Sequence, residues 1–231
     1  MIAFRRIYPV FEKECKDIIK NKSIIFITFI FPAFAFVFKS IMKDSELASV
    51  LPTFITMHIV MIPIINMANI IAEEKEKNTL RVLIMSNVKP MEYLIGIGLS
   101  VFLLTMLTTL MFLGVLSLNA SEIYKFIFTA LCGVLCSIIL GAVIGVIVKN
   151  HLSVGTIASP TSMIIGMLPM FASFNKSIYS VSKYLYSQAI VDIIKDINKE
   201  FSVDKFLVVL INFIIFAIIF SIIYRRKKLV D

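Results

Sequence analysis

Residues 51–72, LPTFITMHIVMIPIINMANIIA, carry no charged side chain, whereas six of the next nine residues, EEKEKNTLR (73–81), are charged. A helix rises about 1.5 Å per residue, so about 20 apolar residues cross the ~30 Å hydrocarbon layer of a bilayer. A backbone in lipid must satisfy its own hydrogen bonds, which a helix does. The stretch therefore predicts a membrane-spanning helix that leads directly into a short charged segment.

Five further stretches, of 15 to 28 residues, are also uncharged, and the first of them, 24–38, can be extended past Lys39 to residue 42. The chain is 59% hydrophobic and only 16% charged, whereas about a quarter of the residues of soluble proteins are charged. The longest polar connection, residues 176–205, is too short to form a core of its own. The sequence predicts an all-α integral membrane protein with one transmembrane domain over residues 1–231 and spans at about 24–42, 51–72, 93–120, 126–148, 152–175 and 206–224.

The distribution of lysine and arginine predicts the orientation of these six spans. An even number of spans places both termini on one side, and that side carries 15 of these residues against 8 on the other. Because cytoplasmic loops are enriched in Lys and Arg, we expect a multi-pass plasma-membrane protein with both termini in the cytoplasm. The net charge of +8 then reflects orientation and attraction to anionic lipid, so no nucleic-acid partner is expected.

Two segments outside the spans have helical, amphipathic patterns. Residues 4–21 predict a helix in the membrane interface, with Ile7, Phe11, Cys15 and Ile18 on its apolar side; the alternative is an ordinary polar leader. Residues 178–200 predict one or two short extracellular helices. These either dip into the membrane and cap an exit or lie on its surface.

The second span carries a polar stripe. His58, Asn66, Asn69 and Glu73 fall within an arc of about 80° on a helix that turns ~100° per residue. Polar groups at membrane depth face a protein interior or a wet cavity, so His58, Asn66 and Asn69 are candidates for a translocation path or a subunit seam. The equally weighted alternative is that they form hydrogen bonds with a neighbouring helix.

Small residues mark the fourth and fifth spans. The fourth presents Gly133, Ser137, Gly141 and Gly145 on one face, which predicts close helix packing within the subunit. The fifth has Gly155, Ser159, Ser162 and Gly166 on one side and is interrupted by Pro160. Because proline breaks the helical hydrogen-bond pattern, this span is a candidate moving part, and Ser159 and Ser162 are further candidates for the path.

Catalytic, metal and cofactor sites are not predicted in this chain. His58 and His151 are isolated, and the three cysteines suggest neither a disulfide framework nor a metal site. The phosphate-binding pattern G-x-x-x-x-G-K-[ST] is missing from the sequence, so ATP hydrolysis would need a separate protein. An ion-gradient-driven carrier or a small membrane enzyme is the alternative class. The carrier hypothesis is weakened because only His58 is ionisable deep in a span.

The charged segment after residue 72 has the pattern of a helix that another protein holds. Its acidic start suits a helix N-terminus, and Leu80, Leu83 and Ile84 give it an apolar face for a groove. The alternative is a helix that rests on the membrane. Anionic lipids would repel its acidic residues, which weakens that alternative.

The same segment resembles the loop of ABC-2 type exporter permeases, roughly E-x-E-x-G-T-L-E-x-L…S-P…E…G-K. The layout of an interfacial helix, six spans and a short segment before the last span is similar over essentially the whole chain. Four positions depart from the pattern: Asn78, Arg81, Asn87 and Ile97 stand where the family has Gly, Glu, Pro and Lys. Thr79, Leu80, Leu83, Ser86 and Gly96 match the family.

This resemblance implies a half-transporter. Two permease subunits, identical or related, would form the path, and two cytosolic ABC ATPases would bind ATP and Mg and hold the coupling segment 73–88. The composition is most similar to exporters of low-GC Gram-positive bacteria that move peptides such as phenol-soluble modulins, so the expected cargo is amphipathic peptide, lipid-like or drug-like. The residues assigned to ATPase coupling are Glu73, Glu74, Lys75, Glu76, Lys77, Asn78, Thr79, Leu80, Arg81 and Leu83.

Overall fold

The structure, a computed structural model, describes residues 2–77, 89–200 and 202–227, and this part of the chain is helical without a β-strand. The helices are α1 (Ile2–Lys20), α2 (Lys22–Ile41), α3 (Asp44–Glu76), α4 (Pro90–Leu110) followed by the 3-10 helix η1 (Met111–Gly114), α5 (Ala120–Ile147), α6 (His151–Phe174), α7 (Lys176–Ser182), α8 (Tyr186–Lys195) and α9 (Val203–Lys227). Six of them, α2, α3, α4 with η1, α5, α6 and α9, are long and apolar enough to cross a membrane. The predicted all-α membrane fold is thereby confirmed.

The helices alternate in direction, so their ends form two faces. The N-terminal face holds α1, the end of α3 and the α5–α6 loop, and the opposite face holds the α2–α3 and α4–α5 connections. Three helices begin in the same way, because Glu46, Glu92 and Glu122 each accept a hydrogen bond from the backbone N–H of the residue three positions earlier. This satisfies one of the unpaired donors that every helix start has.

Helices α3 and α5 form the centre of the bundle. Four isoleucines of α3, Ile55, Ile59, Ile64 and Ile71, are at most 1% exposed. The helix packs against α2, α4, α5, α6 and α8. In contrast, much of the surface of α2, α6 and α9 is exposed and apolar, as expected for helices that face lipid or another subunit.

Helix α4 is shorter than the uncharged stretch that predicted the third span. It ends at Leu110, passes through η1, and α5 begins only at Ala120. The hydroxyls of Thr108 and Thr109 donate to the carbonyl of Thr105 in the last turn, and Lys39 donates to the carbonyl of Gly114 at 2.7 Å. Residues 115–119 are uncharged without being helical, so the absence of charge alone extended the predicted boundary.

Helix α1 packs along α4 on the N-terminal face. Val10 and Ile18 are buried, and a Cβ atom added at Gly96 would lie 2.7 Å from the Val10 side chain, so only glycine allows this approach. The buried side of α1 also includes Glu14, which is 3% exposed. A carboxylate buried on this side needs a partner, and the partner is described below.

Helices α7 and α8 form a hairpin that enters the bundle from the opposite face. Helix α8 is not a plain surface helix, because every residue from Tyr186 to Ile194 except Asp192 is buried between α3, α5, α6 and α9. The hydroxyl groups of Tyr186 and Ser137, a residue well inside α5, are 2.9 Å apart.

Candidate functional site

Side chains at the end of α3 form hydrogen bonds with three other helices at the N-terminal face. We call residues 73–77 the α3 junction. Its first inward contact is with α1. Glu74 is 7% exposed and accepts a hydrogen bond from the Lys13 ammonium. The same ammonium lies 3.0 Å from Glu14 and 3.7 Å from Asp17. One lysine of α1 therefore serves three carboxylates, one of which belongs to α3.

This arrangement shifts the pKa values of Lys13 and Glu14 in the same direction for different reasons. Burial raises the pKa of the Glu14 carboxyl, because desolvation of its charged form outweighs the attraction of Lys13. Burial alone would lower the pKa of Lys13, but the hydrogen bond to Glu74 and the charge of Glu14 outweigh it and raise that pKa. The lysine therefore stays charged, and Glu14 takes up a proton more readily than an exposed glutamate does.

The second inward contact of the α3 junction is with the end of α5. The Lys75 ammonium donates to the carbonyl oxygens of Gly145, Val146 and Val148 at 2.9, 2.8 and 3.1 Å. The last carbonyls of a helix have no partner within the helix and carry its negative dipole end. Lys75 therefore caps α5 from another helix.

The third inward contact is with the start of α6. A carboxylate oxygen of Glu76 accepts a hydrogen bond of 3.1 Å from the backbone N–H of His151, the first residue of α6. A carboxylate at a helix N-terminus is favoured by the helix dipole. Successive residues 74, 75 and 76 thus bind α1, α5 and α6.

The predicted coupling residues divide into three groups. Glu74 and Lys75 bind partners within this chain, so they are not free surface groups for another protein. Glu73 is half-buried and forms an ion pair with the exposed Lys77, and Glu76 is exposed at the same end. The other predicted coupling residues, Asn78, Thr79, Leu80, Arg81 and Leu83, lie outside the described residues, as do Ser86 and Asn87.

The polar stripe of α3 binds neighbouring helices at two of its positions. His58 is fully buried, and its Nε2 atom lies 3.1 Å from the Thr108 hydroxyl of α4. The Asn66 amide donates to the Thr28 hydroxyl of α2 at 3.3 Å. Asn69 is half-buried. The geometry of His58 and Asn66 matches the helix-contact alternative, and of the three candidates for the path, His58, Asn66 and Asn69, the last has accessible surface.

The small residues of α5 face α3 at close range. A Cβ atom at Gly141 would lie 2.8 Å from the carbonyl oxygen of Ile64, and one at Gly145 would lie 2.9 Å from Ile71. Gly133 meets Ile59 and Ile190, and Ser137 meets the Tyr186 hydroxyl. This face therefore holds α3 and α8 together.

On α6, the four small residues do not share one environment as the sequence predicted. Ser162 and Gly166 are buried, with Gly166 against Met61 of α3, whereas Ser159 is exposed and Gly155 has open space beside it. The buried line runs through Val154, Ala158, Ser162 and Gly166. Each four-residue step turns about 40° beyond a full turn, so this line drifts around the helix and leaves Ser159 outside.

Sequence reasoning misses several residues of these networks. The sequence pattern places Lys13 on a polar face and Tyr186 at the membrane interface, and it assigns Glu14 no role, because contacts with distant parts of the chain leave no local pattern. The one available signal is Glu14, a carboxylate on the apolar side of a predicted amphipathic helix. In the described part, no group of three or more His, Cys, Asp and Glu side chains is arranged to hold a metal ion.

The family described as "ABC-2 family transporter protein" matches residues 41–224, from the end of α2 to the last turn of α9. No curated protein matches the chain.

Proposed function

Because the chain belongs to the ABC-2 family of transporter proteins, we propose that it is the permease subunit of an ATP-driven exporter whose ATPase is a separate chain. Two cytosolic ABC ATPases bind ATP and Mg and hold the segment 73–88. A second permease subunit, identical or related, completes the translocation path. The permease contributes the path and the mechanical link, and the ATPases contribute the chemistry.

The α3 junction is the observation that carries this proposal. Residues 74–76 bind α1, α5 and α6, and residue 77 leads into the segment proposed to contact the ATPase. A displacement of that segment is therefore passed to four helices at once. Packed helices tend to shift between discrete arrangements rather than deform continuously, so one push can reorient the bundle.

The second permease subunit fits the surfaces that this chain leaves open. Helices α2 and α6 both pack against α3, and their outward surfaces are apolar, with Phe26 71% and Ile164 65% exposed. Ser159 and the open space at Gly155 lie on the outward part of α6. A seam formed by α2, α3 and α6 of two subunits would give Asn69 and Ser159 access to the path. An amphipathic, lipid-like or drug-like cargo suits such a mixed surface.

The proposed orientation places the N-terminal face in the cytoplasm. It rests on the excess of lysine and arginine at that face, because cytoplasmic loops are enriched in these residues. A Gram-positive plasma membrane is the proposed location.

The test uses the chain with its partner ATPase in proteoliposomes. The double swap Glu73→Lys with Lys77→Glu keeps their ion pair but reverses the charges at the proposed docking surface. We expect co-purification of the ATPase and its stimulation by the permease to fall while the thermal unfolding temperature is unchanged. Unaltered stimulation by the swapped variant would contradict coupling through this surface. Asn69→Leu should lower cargo transport without affecting ATPase binding.

A further inference from the structure

The α7–α8 hairpin carries charge into the membrane region. Helix α8 runs antiparallel to α5: Lys125, near the start of α5, donates to the carbonyls of Ile197 and Lys199, and Ser137, further along α5, meets Tyr186. The chain therefore descends through α7, turns at residues 183–185 and rises through α8. We call residues 183–187 the hairpin tip.

A contact with α9 gives the depth of the tip. The Asn212 amide donates to the carbonyl oxygen of Tyr184 at 2.8 Å. Asn212 lies six residues into the uncharged stretch of α9 that begins at Phe206, which corresponds to about 9 Å along the helix. Half of the hydrocarbon layer is about 15 Å. The tip therefore lies more than halfway from the opposite face to the middle of the membrane.

Lys183 is exposed at this depth. Its ammonium lies 4.9 Å from the centre of the Tyr184 ring, and no carboxylate of the described residues forms an ion pair with it. Two other lysines near α8 are paired, since Lys199 and Lys205 both bind Asp196 at 2.8 Å. A charged side chain in the membrane normally faces a water-filled space or a counter-ion, so Lys183 indicates an aqueous or anionic surrounding.

The start of α8 lies directly behind the tip. Leu185 is its N-cap residue and provides no side-chain hydrogen bond. Tyr186, Ser187 and Gln188 are at most 3% exposed, so this turn affects a ligand at Lys183 through the positive end of the helix dipole, which favours an anion, and not through direct hydrogen bonds.

We propose that the hairpin tip binds the anionic headgroup of an amphipathic cargo. Lys183 supplies the charge, Tyr184 positions the ammonium, and the positive end of the α8 dipole adds to the attraction. An ammonium is a compact charge without a preferred planar geometry, so it suits a carboxylate as well as a phosphate. The identification of this ligand as the transported cargo rests on the proposed function, whereas the binding itself needs neither ATP nor an ATPase.

The absence of tryptophan from the chain allows a direct test. Tyr184→Trp keeps an aromatic ring beside Lys183 and introduces a single indole into the protein. The variant is reconstituted in zwitterionic nanodiscs and titrated with a fatty acid that carries bromine, which quenches indole fluorescence on contact. The methyl ester of the same acid is the uncharged comparison.

The acid is expected to quench the introduced indole at a concentration about tenfold lower than the ester, since a hydrogen bond to a charged group contributes about 1.5–3 kcal/mol. Adding Lys183→Gln should abolish this preference, and Lys183→Arg should retain it. The matched control is Lys176→Gln, which removes an exposed lysine at the other end of α7 and should leave the preference intact.

Three results would overturn the inference. The first is that the preference for the acid over the ester survives Lys183→Gln. The second is that Lys176→Gln lowers this preference equally, which would indicate an effect of surface charge only. The third is that inorganic phosphate displaces the acid, which would indicate a site for free anions. Failure of the ATPase experiment would leave this binding result unaffected. Conversely, normal ATPase stimulation without anion preference would remove only this inference.

Discussion

The Lys75 ammonium lies 2.9 Å from the carbonyl oxygen of Gly145, although the two residues are 70 positions apart in the chain. It also caps the carbonyls of Val146 and Val148. A residue that the sequence pattern assigns to a partner protein is thus a structural link between α3 and α5. The link connects the end of α5 to the start of the segment that we propose as the contact with the ATPase.

Replacing Lys75 tests this link. Lys75→Met keeps the aliphatic stem but leaves the last carbonyls of α5 without their donor. We expect a loss of roughly 1–3 kcal/mol in the free energy of unfolding, measured by thermal unfolding in detergent micelles. Lys77→Met is the control, because that lysine is exposed and its ion pair with Glu73 contributes less than about 1 kcal/mol. Equal unfolding temperatures for the two variants would contradict the capping role.

The Lys13 cluster predicts opposite effects for two neighbouring substitutions. Lys13→Met removes the ammonium that the buried Glu14 and Glu74 share, so the unfolding temperature should fall by several degrees. Glu14→Gln removes a buried negative charge while Lys13 still binds Glu74, so stability near neutral pH should be unchanged or higher. If Glu14→Gln destabilised the protein as much as Lys13→Met does, the negative charge of Glu14 would be shown to stabilise the cluster, which would contradict this prediction.

The pH dependence of the stability difference between the wild type and Glu14→Gln tests whether the pKa of Glu14 is raised in the folded protein. The folded-state pKa of Glu14 is raised by burial, so the folded protein binds this proton more tightly than the unfolded chain does. The wild type therefore loses stability relative to Glu14→Gln as the pH rises from the ordinary glutamate pKa through the raised pKa of Glu14. The advantage of Glu14→Gln should be present at neutral pH and disappear below about pH 4, close to the ordinary glutamate pKa. A constant difference across this range would exclude the titration of Glu14 as its cause.

Gly141 tests how closely α3 and α5 pack. Gly141→Ala places a Cβ atom 2.8 Å from the backbone oxygen of Ile64, which cannot move aside as a side chain can. We expect a loss of about 1–3 kcal/mol, read from thermal unfolding. Gly155→Ala is the matched control, since its Cβ atom would have open space and alanine favours a helix by up to about 1 kcal/mol. Equal tolerance of the two substitutions would show that the helices are further apart.

The Tyr186–Ser137 pair predicts coupled effects in a double-mutant cycle. Tyr186→Phe and Ser137→Ala each break the 2.9 Å contact between their hydroxyl groups, and each should lower stability by about 1 kcal/mol. The double variant should lose less than the sum, because the contact between the two hydroxyls can be lost only once, whereas Ser137 keeps its hydrogen bond to the Gly133 carbonyl after Tyr186→Phe. Additive losses in unfolding measurements would mean that the two hydroxyls do not interact.

Some features of this fold depend on neighbouring residues and can be read from the sequence, whereas others depend on distant helices and cannot. The helix starts at Asp44, Pro90 and Ala120 follow local hydrogen bonds with a nearby glutamate, so they depend on short-range chemistry. The burial of Glu14 on the apolar side of α1 is visible as an exception to the pattern. The depth of Lys183 is left open by the sequence, because the amphipathic pattern of residues 178–200 fits both a helix that dips into the membrane and one that lies on its surface.

The sequence by itself determined the membrane-spanning class, the six apolar helices and the family, because hydrocarbon thickness and backbone hydrogen bonding impose a length and composition that can be read residue by residue. Only the tertiary structure decided which polar groups are used inside the chain and which remain accessible. Lys75, Glu74 and Lys183 look alike as charged residues in a list, but their partners lie 70, 61 and one position away. The charge of a side chain is local, whereas its burial and its partner depend on how distant helices pack.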